Sequence, residues 1–264
     1  MTNQNPQDAL HAMRMANPLV QCITNFVAMN ISANTLLAAG ASPAMVHTQQ
    51  ESGDFAAIAG ALTVNIGTLS PDWVEGMKAA IVAAKQAGKP WVLDPVANFA
   101  TPYRQAVAGE LLAMGPTVLR GNASEIMALA GQQSAGQGVD AGDSVAAAEQ
   151  AARALAGKFQ TVVVITGEVD FVTDGTRAAR VSGGSDIMPK ITAMGCALTC
   201  LIGAFLAVEP DAFAASIAAL TLFAEAGART GATATGPGAF AWQFLDQLAG
   251  LELADIDLSR VVEQ

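Results

Sequence analysis

The sequence predicts an α/β fold, with a mostly parallel central sheet covered by helices on both faces. Three observations predict it. Short β-type runs alternate with longer helical runs over most of the 264 residues. The β-type runs are near-continuously apolar, as strands buried on both faces are. No Pro/Gly/Ser-rich linker and no internal repeat divides the chain, so it reads as one domain over residues 1–264.

The elements follow in order. Met1 to Met15 is amphipathic with helical spacing, and Leu19 to Ile23 is a short apolar strand. Thr24-Asn25 offers capping side chains to a helix over Phe26 to Ala39, which stops at Gly40. Ala44 to Val46 reads as a short strand entered through Pro43. Leu62 to Ile66 is a buried strand, ended by Gly67 and Ser70-Pro71. A helix runs from Asp72 to Ala87 and closes at Gly88. Trp91 to Asp94 is a strand, Pro102 to Met114 a helix and Thr117 to Leu119 a strand. Arg120-Gly121-Asn122 then reads as a turn before a helix from Ala123 to Ala130. Gly131 to Gly142 is polar and glycine-rich, the pattern of a mobile loop. Ser144 to Ala156 is helical, and Thr161 to Thr166 is a strongly β-branched strand. Phe171 to Val181 reads as a hairpin, since Asp174-Gly175 suits a type I′ turn. Three helices close the chain: Ala197 to Val208, Asp211 to Arg229 and Ala239 to Leu248.

Composition narrows the function. A net charge of −10 argues against nucleic acid and against an anionic membrane surface. No apolar run is read as reaching the ~18 residues of a membrane span. Met1 to Asp8 is polar and lacks a signal-peptide pattern, so a cytoplasmic location is expected. Three cysteines, Cys22, Cys196 and Cys200, make no disulfide framework. With two histidines and no CxxC pair, a zinc or iron–sulfur site is not expected. There is no GxxxxGK[ST] loop, no GxGxxG after a strand and no evident Ser–His–Asp set.

In parallel sheets, ligands bind beyond the carboxyl ends of the strands. Asp94 leaves a strand before Pro95; its carboxylate suits a magnesium-bound water, a proton, or a plain surface or capping role. Asn122 and Glu125 have capping-box spacing, which is explanation enough if they are taken alone. Arg120, leaving a buried strand beside Gly121, suits a phosphate contact. Thr166-Gly167 suits phosphate or a tight turn equally. Gly236-Pro237-Gly238 reads as the turn that starts a helix.

The run Ile191-Thr192-Ala193-Met194-Gly195-Cys196-Ala197-Leu198-Thr199-Cys200 passes from a turn straight into an apolar helix. Free amides at that helix start, with the positive end of its dipole, make an anion site. Cys196 falls in the first turn, where a lowered thiol pKa is expected. A tight turn into a buried helix, with Cys196 as a core residue, fits the same residues.

Several motifs fall together in order and spacing. They are Ile23-Thr24-Asn25-Phe26-Val27, Gly40-Ala41-Ser42-Pro43-Ala44-Met45, Asn65-Ile66-Gly67-Thr68-Leu69 and Asp94-Pro95-Val96. Arg120-Gly121-Asn122-Ala123-Ser124-Glu125, Val164-Ile165-Thr166-Gly167-Glu168 and Gly195-Cys196-Ala197-Leu198 complete the set. In these the chain resembles the hydroxyethylthiazole kinases of the ribokinase-like superfamily, over nearly its whole length. The resemblance implies ATP-dependent phosphorylation of the primary alcohol of 4-methyl-5-(2-hydroxyethyl)thiazole in thiamine salvage. It implies Mg2+, and a homotrimer with active sites at subunit boundaries.

Carried onto this sequence, the resemblance assigns Arg120 and Thr166 to ATP. Met45 and Ala193, with Asn25 and Gly195, go to the thiazole side, and Asp94 and Glu125 to magnesium. Cys196 stands where many ribokinase-like kinases carry an aspartate base. Two loops depart from the family pattern. Ala193-Met194 replaces part of a Thr-Gly-Thr-Gly run, and Ala97-Asn98-Phe99 replaces a glycine-rich run. A different small-alcohol acceptor on the same scaffold, such as a hydroxymethylpyrimidine, and a weakly active or binding-only relative are the alternatives.

Overall fold

The computed structural model describes residues 5–131 and 145–264. The helices are α1 (Pro6–Ala16), α2 (Met29–Ala39), α3 (Gln49–Ile58), α4 (Pro71–Gln86), α5 (Pro102–Ala113), α6 (Ala123–Leu129), α7 (Val145–Phe159), α8 (Met194–Leu206), α9 (Ala212–Gly231) and α10 (Pro237–Gly250). The strands are β1 (Leu19–Ile23), β2 (Ser42–Ala44), β3 (Ala61–Asn65), β4 (Trp91–Asp94), β5 (Val118–Asn122), β6 (Val162–Thr166), β7 (Val169–Thr173), β8 (Ala178–Ser182) and β9 (Val261–Glu263). They form one sheet in the order β2-β1-β3-β4-β5-β6-β7-β8-β9. Pairing is parallel from β2 to β6 and antiparallel from β6 to β9.

Two apolar clusters lie on the two faces, as continuous apolar strands require. One gathers α1, α2, α8, α9 and α10 against residues such as Val20, Val92 and Val164. The other gathers α4, α5, α6 and α7 against Leu62, Leu93 and Val163. Alternate residues of each strand serve opposite faces, which is the period-2 geometry of a pleated strand. α8 is buried along almost its whole length, and it packs on β1, β3 and β4 between α2 and α9. That placement explains its nearly unbroken apolar composition.

The differences from the sequence reading have local causes. Phe26 to Ala28 form a turn rather than helix, because Asn25 Oδ1 accepts the Val27 and Ala28 N–H groups at 3.1 and 3.0 Å. The second strand is Ser42–Ala44 rather than Ala44 to Val46. α3 was not foreseen; only Ser52 and Ala56 are buried on it, and its packing on α4 holds it. Arg120-Gly121-Asn122 is strand and not turn, paired with Val164, Ile165 and Thr166 of β6.

The β7–β8 loop has four residues between the Thr173–Ala178 pair, not a two-residue type I′ turn. Asp174 Oδ1 accepts the Thr176 and Arg177 N–H groups and fixes that longer loop. β9 was also not foreseen. α9 is long and apolar enough to pass as a membrane span, contrary to the sequence reading. Since 78% of that window is buried within the protein, it is a core helix. Of the loop expected over Gly131 to Gly142, all but Gly131 lies outside the described residues, as does Ser144.

Candidate active site

Chain order puts β2 and β3 on opposite sides of β1, so successive connections leave the sheet in opposite directions there. Such a switch opens a crevice at the carboxyl ends of the strands. Asn25 follows β1, Asn65 ends β3, Asp94 ends β4, Arg120 and Asn122 lie in β5, and Thr166 ends β6. The start of α8 faces these groups.

Hydrogen bonds and one ion pair link them. Asn25 Nδ2 donates to Asn65 Oδ1 at 2.9 Å and lies 3.4 Å from Cys196 Sγ. Asn65 Nδ2 donates to Asp94 Oδ2 at 2.7 Å. Thr199 Oγ1 donates to the same oxygen at 2.8 Å. Arg120 Nη1 lies 3.6 Å from Asp94 Oδ2, and Arg120 Nη2 donates to Thr166 Oγ1. Asp94 is fully buried and Arg120 nearly so. A buried charge this poorly hydrated needs its partner, and each supplies the other's.

Two atoms are left over. Asp94 Oδ1 and Arg120 Nε are buried and have no hydrogen-bond partner among the described residues. Such groups are costly unless a ligand, ion or water meets them. Gly195 explains how the guanidinium fits. A Cβ there would sit 2.6 Å from both Arg120 Nη1 and Nη2. Only glycine lets the first turn of α8 lie on that guanidinium. Among the described residues no side chain caps α8, so its first amides remain available to an anion.

Burial raises the Asp94 pKa, opposed first by the Arg120 charge and then by the Thr199 and Asn65 bonds. Burial and the Asp94 charge raise that of Glu125, opposed by the Ala97 and Asn122 N–H groups. Glu125 completes the capping box: Oε2 accepts the Asn122 N–H at 2.8 Å, while Asn122 Oδ1 accepts the Glu125 N–H. Its Oε1 accepts the Ala97 N–H at 2.8 Å. The capping reading of Asn122 and Glu125 therefore holds.

The expected low thiol pKa does not. Burial, aided by the Asp94 charge, pushes Cys196 up to about 12. Its place in the first turn of α8 does not outweigh the lost hydration. Cys22 and Cys200 are buried and unbridged. Among the described residues, no three His, Cys, Asp or Glu side chains gather around a common metal position. The unpartnered Asp94 oxygen does suit magnesium, which takes one or two carboxylates with phosphates and waters, while both Glu125 oxygens already accept a backbone N–H.

Ala193 caps α8 with φ 64°, and Ala97 has φ 50°. Both departures from the family's glycine-rich loops thus put an alanine in the left-handed region. Each costs about 1–2 kcal/mol relative to an unstrained residue. Met45 follows β2, half-buried against the α8-side core, with its carbonyl 3.4 Å from His47 Nδ1. The chain of hydrogen bonds and the Asp94–Arg120 ion pair joins Asn25, Asp94, Arg120, Thr166 and Cys196, with Gly195 against the guanidinium. Met45 and Ala193 stand outside that chain.

Asn65, Thr199 and Asp170 were missed as site residues. Asn65 carried the same signal as Asp94, a polar residue ending a buried strand. Thr199 lies three residues after Cys196 and so on the same helix face. Asp170 carried no signal. It accepts the Gly167 N–H at 3.0 Å beside Thr166, and burial pushes its pKa to about 7.

The model of the hydroxyethylthiazole kinase family matches residues 10–253. A hydroxyethylthiazole kinase of Rhizobium johnstonii is 61% identical over 257 residues, covering 97% of this chain and 96% of that one. The solved hydroxyethylthiazole kinase of Pyrococcus horikoshii OT3 superposes with a TM-score of 0.89 at 37% identity, over 98% of both chains. A pyridoxal kinase from Staphylococcus aureus, solved with pyridoxal, superposes at 0.60 with 17% identity, over 79% of this chain and 87% of that one. The second likeness is one of fold alone, and it fits a ribokinase-like architecture. A family match spanning most of the chain, with relatives this similar over their full length, leaves one conclusion: the chain belongs to the hydroxyethylthiazole kinase family.

Proposed function

We propose that this chain transfers the γ-phosphoryl group of ATP to the primary alcohol of 4-methyl-5-(2-hydroxyethyl)thiazole, a step of thiamine salvage, from a single domain over residues 1–264. Family membership supports the activity. The observation that carries the mechanism is the buried Arg120–Asp94 pair lying against the uncapped start of α8.

Phosphoryl transfer has a loose transition state, so catalysis is mostly positioning and charge neutralisation. Arg120 and Thr166 bind the phosphates of ATP. The first amides of α8 receive the oxygens of the migrating group. Asp94 and Glu125 would hold Mg2+. The metal supplies neutralisation of phosphate charge when bound.

Met45, Ala193, Asn25 and Gly195 line the thiazole side, Met45 offering a polarisable contact to the ring. Cys196 faces the acceptor position. With its thiol held protonated, Cys196 does not take the alcohol's proton as a thiolate; Arg120 and the α8 amides draw charge from the migrating phosphoryl group, and the alcohol's proton leaves by way of the transferred phosphate.

The same reading carries a cytoplasmic homotrimer with active sites at subunit boundaries. Phe26 and Val27, immediately after Asn25, are 68% and 58% exposed and apolar, which suits a covering neighbour. The test is incubation with Mg-ATP and the thiazole alcohol, following phosphorylated thiazole. Product in step with ADP is expected. ADP formed only with another small alcohol, such as a hydroxymethylpyrimidine, contradicts the reading. Light scattering of the purified protein should give three times the chain mass.

A further inference from the structure

Among the described residues Arg104 makes no hydrogen bond or ion pair to a site side chain, yet it holds the two loops that carry them. It lies near the start of α5. Its Nη1 donates to Ile66 O at 2.8 Å and to Val96 O at 2.9 Å, and its Nη2 donates to Gly67 O at 2.6 Å. Ile66 and Gly67 leave β3 directly after Asn65. Val96 leaves β4 two residues after Asp94. Among the described residues no carboxylate pairs with Arg104, so these three carbonyls are its partners. A guanidinium presents donors in a fixed planar fork, and an ammonium cannot reproduce that span.

Both loops need holding. Gly67 N–H donates to Asn65 Oδ1, and a Cβ at Gly67 would lie within 2.9 Å of three Asn25 side-chain atoms. Gly67 thus presses on the amide that reaches Cys196. On the other loop, Val96 precedes Ala97, whose left-handed backbone aims its N–H at Glu125. An alanine leaves that conformation readily when nothing fixes its neighbours.

We propose that Arg104 is a positioning residue of this kinase. By clamping the loops after β3 and β4 it sets the relative placement of Asn25, Asn65, Asp94 and Glu125. The proposal rests on the activity proposed above, but its test has a readout that does not.

Arg104→Met and Arg104→Lys are compared with wild type after thermal melting selects the variants that fold. With Mg-ATP and the thiazole alcohol, kcat should fall about 10–100-fold in Arg104→Met, the usual cost of misplacing catalytic groups by about an ångström. KM for ATP should stay within about twofold, because Arg120 is untouched. Arg104→Lys should recover only part of kcat.

Separately, alkylation of Cys196 by iodoacetamide, read by peptide mass spectrometry, should depart from the wild-type rate by at least about threefold, because loosened loops alter both access to the thiol and the Asn25 bond that favours its thiolate. Buried Cys22 and Cys200 serve as internal controls. That readout holds whatever alcohol the enzyme accepts. If wild type makes no thiazole phosphate, the activity reading fails and alkylation alone decides on Arg104. A folded variant with kcat (where measurable) and Cys196 alkylation both at wild-type values overturns the proposal.

Discussion

Gly195→Ala separates helix stability from phosphate binding. Alanine in place of glycine favours a helix by up to about 1 kcal/mol. At position 195, however, its Cβ would meet Arg120 Nη1 and Nη2 at 2.6 Å, where ordinary contact begins at 3.4 Å. The guanidinium must therefore retreat by about 0.8 Å (3.4 − 2.6). It sits at the end of a flexible side chain, so the retreat is cheap for the fold. It is not cheap for the ligand, because the same atoms face Thr166 and Asp94. Losing one charge-assisted hydrogen bond to a phosphate costs about 1.5–3 kcal/mol. That is about 10–100-fold in kcat/KM for ATP. The assay is steady-state kinetics with varied ATP, beside urea unfolding of the same variant. The expected result is a stable protein with poor use of ATP. Unchanged ATP kinetics in a folded Gly195→Ala protein would refute the placement of the guanidinium against the phosphates.

Three further expectations follow from strain and ionisation. Ala193→Gly relieves a φ of 64°; after the entropy that glycine loses, urea unfolding should show a gain of about 0.5–1 kcal/mol, and a loss would contradict the strain. Cys196, pushed up to about 12, is protonated at neutral pH. Its alkylation should keep rising about tenfold per pH unit to at least pH 9, and a plateau near pH 7 would contradict the buried, Asp94-facing setting. Asp170 is raised from 3.8 to about 7 on folding. Between those values the folded state holds more protons than the unfolded state, so stability falls as pH rises through the window. Asp170→Asn should flatten that slope, as measured by urea midpoints at pH 4.5 and 6.5; an unaltered slope would remove Asp170 as its source.

Much of the fold was legible because its signals are local. The strand ending in Asp94 and the helix between Ser70-Pro71 and Gly88 declare themselves by composition and punctuation. The capping box at Asn122 and Glu125 was equally plain. What was not legible depends on distant partners. Arg120-Gly121-Asn122 looks like a turn until β6 pairs with it, and α3 has too little apolar contrast to announce its packing on α4. In the site, the polar strand ends were readable, but their wiring was not. No spacing rule places Asn25 against Cys196, 171 residues away. The same holds for the thiol. A first-turn cysteine argues for a low pKa, and only the packed structure shows that burial wins.

In the proposed reaction a migrating phosphoryl group meets Arg120 and the uncapped amides of α8. The most direct measurement is a crystal structure of this protein with magnesium, a non-hydrolysable ATP analogue and the thiazole alcohol. The γ-phosphate is expected within hydrogen-bond reach of the α8 amides and the Arg120 guanidinium, with the alcohol oxygen in line on the Cys196 side. A γ-phosphate bound away from both would contradict it.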